Sequence, residues 1–232
     1  VRIYESQATA WGAYGRLGRP QHNQGYCLAW SPDGSRLAWG TENSIVWLDT
    51  QDVLDQDAAT LVVRESVTNA IAWSPHGNTL AAAVGASIDL WDDFTGRPHN
   101  LSVSLESGIT TLVWSPNGYS IAAGSTNGDI TITNRSTSGD NRTLKGHRSY
   151  ITGLDFSFDG RLLASKSVDG TVRLWRCDRW EQVAVLDEPY PGEGVWSGLA
   201  FHPSEPRLAT LDASGTAIRI WDLNIKALLG PE

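Results

Sequence analysis

Three residue types that could do nucleophilic chemistry share one short stretch of the chain. His147, Ser165 and Asp169 fall within residues 146 to 176, which read GHRSYITGLDFSFDGRLLASKSVDGTVRLWR. A hydroxyl, an imidazole and a carboxylate can form a relay that activates serine for acyl transfer. That chemistry needs the serine exposed beside an oxyanion hole, and no strand-to-helix elbow is present to expose it. The remaining histidines, His22, His76, His99 and His202, fall in turns or loops at different places, with no H-E-x-x-H or C-x-x-C spacing to hold a metal. Gly12, Gly15 and Gly18 are spaced by three but match no phosphate-cradling loop that follows a strand and opens a helix. The sequence therefore offers no catalytic residue, no metal site and no cofactor site.

The elements that position these side chains read as strands. YITGLDFS and RLLASKS alternate in polarity on either side of the turn Ser157-Phe158-Asp159-Gly160, and TVRLWR follows Val168-Asp169-Gly170. This is three antiparallel strands joined by two hairpins, and the Asp-Gly of the second suits a type I′ turn. The unit recurs along the chain. The serine opening its first turn stands at Ser31, Ser74, Ser115 and Ser157, with His202 in the same place, at steps of 43, 41, 42 and 45. An aromatic precedes each turn, at Trp30, Trp73, Trp114, Phe156 and Phe201. A second series closes each unit at Trp47, Trp91, Trp175 and Trp221, with Thr133 standing in for the third. Pro32, Pro75 and Pro116 take the second position of the first turn, and Gly34, Gly77 and Gly118 the fourth, as a type I turn prefers.

A period of 40 to 45 residues with G-H and W-D signatures resembles the WD-repeat family, and the resemblance covers essentially the whole chain. It implies an all-β propeller with five full four-stranded blades, at 25–65, 67–105, 109–146, 147–187 and 195–230. Residues 1–24 then supply the outer half of a further blade, in a propeller of six or seven blades when complete. In each copy strand a is innermost and strand d outermost, the fifth copy ending on KALLG as its strand d and the third on a short NRTLKG. Because the a and b strands that residues 1–24 would need are not in this sequence and it has no Met, the reading expects a domain cut from a longer polypeptide. The divergent repeats resemble those appended to bacterial multidomain signalling proteins.

The resemblance also gives the polar set its meaning. In the family, His147 of the G-H pair, a strand-b hydroxyl at Ser165, Asp169 and Trp175 form a structural hydrogen-bonded tetrad. Only the fourth copy keeps all four. The third has Asn127 for the Asp and Thr133 for the Trp, and the fifth offers Thr210 and Asp212. Propellers resembling this one bind partners on the face made by the d–a and b–c loops. That face is expected to carry Arg148, Tyr150, Val168, Tyr190, Glu193 and Trp196, with Lys166 close by.

Composition bounds the partners. Formal charge is −8 and the basic residues, 15 Arg and 3 Lys, are scattered, which disfavours a phosphate backbone. No apolar run approaches the roughly 18 residues of a membrane span, and no signal peptide opens the sequence. Cys27 and Cys177 fall in distant copies, so they are not expected to pair, and a reducing, cytoplasmic setting fits. The reading is a non-catalytic scaffold or docking module for proteins, peptides or further domains of the same polypeptide. The alternatives are a structural subunit of a larger complex and a propeller enzyme with a ligand in its central channel. The small, apolar strand-a sequences speak against the latter.

Overall fold

The computed structural model describes residues 27–41, 44–49, 59–62, 67–77, 79–92, 99–135, 137–188, 198–212 and 217–230. The half-blade expected over residues 1–24 lies outside them, as do Tyr190, Glu193 and Trp196. The described chain forms five antiparallel sheets in succession. The first holds β1 (Cys27–Trp30), β2 (Arg36–Gly40), β3 (Ser44–Asp49) and β4 (Ala59–Val62). The second holds β5 (Thr68–Trp73), β6 (Leu80–Val84), β7 (Ser87–Trp91) and β8 (His99–Ser104). The third holds β9 (Ile109–Trp114), β10 (Ser120–Ser125), β11 (Ile130–Asn134) and β12 (Thr137–Leu144). The fourth holds β13 (Ile151–Phe156), β14 (Leu162–Ser167), β15 (Thr171–Arg176) and β16 (Glu181–Asp187). The fifth holds β17 (Leu199–Phe201), β18 (Arg207–Leu211) and β19 (Ile218–Asp222). Inner strands β1, β5, β9, β13 and β17 lie side by side, so the sheets follow one another as blades of a propeller.

Each core cluster sits between two blades. Ala81, Ala83, Ile88 and Leu90 of the second blade meet Ile109, Leu112, Trp114, Ile121 and Ala123 of the third. The other residues of the same strands, including Trp73, Leu80, Ala82 and Trp91, face the first blade instead. Strand alternation thus gives every interior blade two apolar faces, and burying each large side chain stabilises by about 1.5–3 kcal/mol.

A hydrogen-bond ladder runs between the inner strands. Cys27 Sγ donates to Thr68 O at 3.5 Å, Asn69 Nδ2 to Ile109 O at 2.9 Å, and Thr110 Oγ1 to Ile151 O at 2.5 Å, so that in three successive blades an inner-strand side chain reaches the equivalent carbonyl of the next. The strand-a tryptophans add a second tie, Trp73 Nε1 to Ala29 O at 3.1 Å and Trp114 Nε1 to Ala72 O at 3.0 Å. Trp30, in the first described blade, is 57% exposed. Gly124 permits the close approach of these layers, because a β-carbon there would fall 2.7 Å from Ile151 Cβ.

Three details differ from the sequence reading. The outer strand of the third blade begins at Thr137, directly after β11, with a register shift between Ile132 and Asn134. The KALLG segment is a helix, α1 (Ile225–Leu229), and no strand d. Asn224 Oδ1 caps it by accepting from Ala227 N at 3.1 Å, Lys, Ala and Leu are good helix formers, and Gly230 closes it at φ 85. The hairpin at Asp169 is not type I′: Gly170 has φ 82, whereas Trp180 is the one non-glycine residue with positive φ among the described residues. With Gly170 N donating to Ser167 O at 3.3 Å, the connection is a type I-like turn closed by a glycine bulge. The first hairpins match the expectation, with positive φ at Gly34, Gly77, Gly118 and Gly160 and their N–H groups bonded to the opening serine.

Candidate functional site

Strand β14 carries Ser165 into the sheet interior, paired across from Leu154 and Arg173. Its hydroxyl is fully buried and sits between two ring nitrogens: Trp175 Nε1 donates to it at 2.9 Å, and His147 Nε2 lies 2.8 Å away. His147 Nδ1 meets Asp169 Oδ2 at 2.9 Å. The four residues singled out in the sequence are therefore one connected chain in space. One proton arrangement satisfies it: Trp175 N–H to Ser165, Ser165 O–H to His147 Nε2, and His147 Nδ1–H to Asp169.

The electrostatics agree with a neutral imidazole. Burial pushes the His147 pKa below its ordinary 6.5, against the opposing pull of Asp169. Burial also works against the Asp169 carboxylate, yet hydrogen bonds from Thr171, His147 and the Arg148 N–H outweigh it and hold its pKa below the usual range. This arrangement cannot attack a substrate. The Ser165 oxygen has no exposed surface and both its neighbours are committed, so the acyl-transfer geometry is absent.

The set instead ties two loops together. Arg148 N donates to Asp169 Oδ2 at 3.0 Å, Ser167 Oγ to Ser149 O at 2.9 Å, and Val168 N to Tyr150 O at 3.0 Å. The d–a loop 147–150 is thereby stitched to the b–c turn 167–170. Above this base project Arg148, which is exposed, and Tyr150, which is 51% exposed, beside the half-buried Val168. The Gly128 turn of the third blade packs against the same loop, where a β-carbon would fall 2.8 Å from His147 O.

Lys166 is not part of the presented face. At 6% exposure it points across to the fifth blade, where its Nζ donates to Leu211 O and lies 3.4 Å from Glu188 Oε2. Buried Glu188 in turn accepts from Thr210 Oγ1, which receives Trp221 Nε1 at 3.0 Å. The fifth blade thus has its own polar chain, with Glu188 where the fourth has His147. Sequence reasoning missed Glu188, because no G-H pair marks it. It also missed Thr171, whose N–H and hydroxyl both donate to Asp169 Oδ1, at 3.0 and 2.7 Å. The Asp-Gly-Thr spelling, with its capacity for an Asx turn, was the available signal.

Among the described residues no group of three or more His, Cys, Asp or Glu could hold a metal ion. Both cysteines are free thiols. Burial pushes Cys27 up to about 11 and Cys177 to about 12, which makes them poor nucleophiles. No helix among the described residues is long and apolar enough to cross a membrane.

Comparison with known proteins gives the same architecture. Residues 98–134 and 139–176 match the family described as WD domain, G-beta repeat. Each match spans the outer strand of one blade and the three inner strands of the next. The chain is 31% identical over 166 residues to cell division cycle 20.1, cofactor of APC complex, of Arabidopsis thaliana, a match covering 66% of this chain and 36% of the relative. It is 29% identical over 170 residues to WD repeat-containing protein slp1 of Schizosaccharomyces pombe, covering 67% and 33%. With Protein LST8 homolog of Drosophila melanogaster it shares 32% over 123 residues, covering 47% and 39%. These relatives are eukaryotic, and the chain spans between a third and a half of their lengths. A chain in the crystal structure of a mitotic checkpoint complex superposes with a TM-score of 0.76 at 18% identity, over 87% of this chain and 62% of that one, a likeness of fold alone.

Proposed function

From a chain of WD repeats folded as propeller blades, we propose a non-catalytic docking platform that presents a rigid loop face to a protein or peptide partner. The observation that carries the reading is the stitched base under Arg148 and Tyr150. Four hydrogen bonds fix loop 147–150 to turn 167–170, so an exposed Tyr and an exposed Arg project from backbone that has little entropy left to lose on binding. Tyr and Arg are the residue types that concentrate binding energy at interfaces. The d–a loop through Tyr190, Glu193 and Trp196 is assigned to the same face on sequence grounds alone. The relative named as a cofactor of APC complex supports a role inside a multiprotein assembly, and the structural-subunit alternative is a variant of that role.

The buried serine and the polar chains spent on stitching loops support the absence of catalysis at this site. A cytoplasmic setting is supported by two unpaired thiols. Membership of a larger, multidomain signalling polypeptide is supported by relatives two to three times the length of the match. The bacterial source rests on the resemblance of the divergent repeats alone, and the relatives found are eukaryotic. The test is affinity capture with the chain and with its Arg148→Ala/Tyr150→Ala variant. Proteins that co-purify with the parent should be lost from the variant while the melting temperature is unchanged. Retention of the same proteins would overturn the assignment of this face.

A further inference from the structure

Among the described residues the fifth blade has no fourth strand. In the other blades β4, β8, β12 and β16 pair with the outer side of the third strand, whereas the fifth sheet runs β17-β18-β19. The chain leaves β19 through α1, which packs beside β16 of the fourth blade. Ile218 and Ile220 stand on one side of β19 and are 66% and 60% exposed. Their counterparts in the second, third and fourth blades, Ile88 and Leu90, Ile130 and Ile132, Val172 and Leu174, are all buried. Strand edges that are left to solvent are blunted by Pro, Lys or a bulge. β19 has none of these: it reads IRIWD, and its pairing with β18 runs from Ile218 to Asp222 without a register shift.

The four complete blades show what covers such an edge. In each, an antiparallel strand places Val or Leu opposite the position that Ile218 takes in the fifth. Val62 pairs with Ser44, Val103 with Ile88, Leu144 with Ile130 and Leu186 with Val172. Opposite the position of Ile220 stand Thr60, His99, Arg142 and Ala184, which share no chemistry. The covering strand is therefore specified at one place. The segment that follows β19 does not supply it, because that segment is spent on a helix capped by Asn224 and closed at Gly230.

We propose that β19 is a strand-addition site, at which an extended segment of a partner protein completes the fifth blade antiparallel to β19 with Val or Leu opposite Ile218. Main-chain hydrogen bonds supply the affinity, and the apolar pair formed with Ile218 on one face of the sheet supplies the selectivity. The site lies on a different blade from Arg148 and Tyr150 and does not depend on their loop. The probe is a labelled synthetic peptide of sequence EQVAVLD, the outer strand of the fourth blade, with Leu at the selective position. It should bind the full chain in fluorescence polarisation, and its Leu186→Asp analogue should bind at least about tenfold more weakly. Ile218→Asp/Ile220→Asp should weaken binding as much while keeping the melting temperature of the parent, because both side chains are exposed. If that variant fails to fold, the analogue decides alone. Arg148→Ala/Tyr150→Ala should leave the affinity unchanged. In hydrogen exchange read by mass spectrometry, the peptide should protect the amides of Ile218–Asp222. Absence of binding, equal binding of the analogue, or protection elsewhere would overturn the proposal. Amides of Ile218–Asp222 already protected without peptide would overturn it by assigning the edge to residues 1–24 of this chain. Protection that rises with the concentration of the chain alone would overturn it by assigning the edge to a second copy.

Discussion

Removing one oxygen atom should reveal how much of the fourth blade rests on its polar chain. In Ser165→Ala the lost hydroxyl leaves two buried ring nitrogens without their partner, Trp175 Nε1 and His147 Nε2, which lie 2.9 and 2.8 Å from it in the parent. Each stranded group costs about 1–3 kcal/mol, so the substitution should cost about 2–6 kcal/mol in all. Cavity and steric effects are small, because the equivalent positions of the second and third blades are already Ala82 and Ala123, both fully buried. Their registers match: Ile71 opposes Ala82, Leu112 opposes Ala123, and Leu154 opposes Ser165.

For a chain of this size such a loss lowers the melting temperature by roughly 5–15 °C, which thermal unfolding followed by circular dichroism reads directly. Ser165→Thr, which keeps the hydroxyl, should recover most of it. Trp175→Phe removes the donor on the other side, so the double variant Ser165→Ala/Trp175→Phe should cost less than the sum of the singles, with a coupling of about 0.5–3 kcal/mol. A Ser165→Ala protein that melts within about 2 °C of the parent, or singles that add without coupling, would refute the chain as a stabilising unit.

Two further outcomes follow from the same network. Lys166→Ala leaves the Glu188 carboxylate buried without its cation and should cost about 3–5 kcal/mol in urea unfolding. Lys166→Met/Glu188→Gln keeps the acceptor for Thr210, removes both charges and should recover most of that loss, whereas a double variant as unstable as Lys166→Ala would refute the pairing. Stability should also depend on pH through His147. Its folded pKa lies below the ordinary 6.5, so the unfolded chain takes up a proton first. The melting temperature should therefore hold above 6.5 and decline as pH falls through the folded pKa. Asp169 acts with the same sign below its ordinary 3.8, and Asp155, raised by burial, with the opposite sign. His147→Gln should flatten the first of these slopes, and an unchanged slope would count against a buried neutral imidazole.

The repeat period, the first turn of each unit and the residues of the fourth polar chain were legible because each is written locally. Ser-Pro-x-Gly specifies its turn through Pro and Gly backbone preferences, and the apolar alternation specifies the faces. What the sequence concealed depends on contacts made some 20 to 45 residues away. Lys166 reads as a solvent-facing charge until Glu188 of the next blade is placed beside it. The ladder from Cys27, Asn69 and Thr110 uses three chemically unlike side chains, the first one position out of phase with the other two, so no motif spells it. KALLG was assigned by copying the repeat forward, and local propensity with an Asn cap prevailed instead.

The blades differ in how they keep their loops in place, and the difference points to where a partner would be met. The second and third blades put Ala at the tetrad hydroxyl position and rely on the packing of Trp73, Trp91 and Trp114. The fourth uses His147 and Asp169, and the fifth uses Glu188 linked to Lys166 of its neighbour. Buried polar chains confer little net stability over apolar packing, yet they are directional and fix a loop in one geometry. The two blades that carry them are those whose loops form the proposed face at Arg148 and Tyr150. Replacing His147 and Ser165 by apolar residues in a way that restores the melting temperature should therefore still weaken partner capture, because the loop would keep its stability and lose its fixed conformation. Capture equal to the parent would show that Arg148 and Tyr150 need no rigid base.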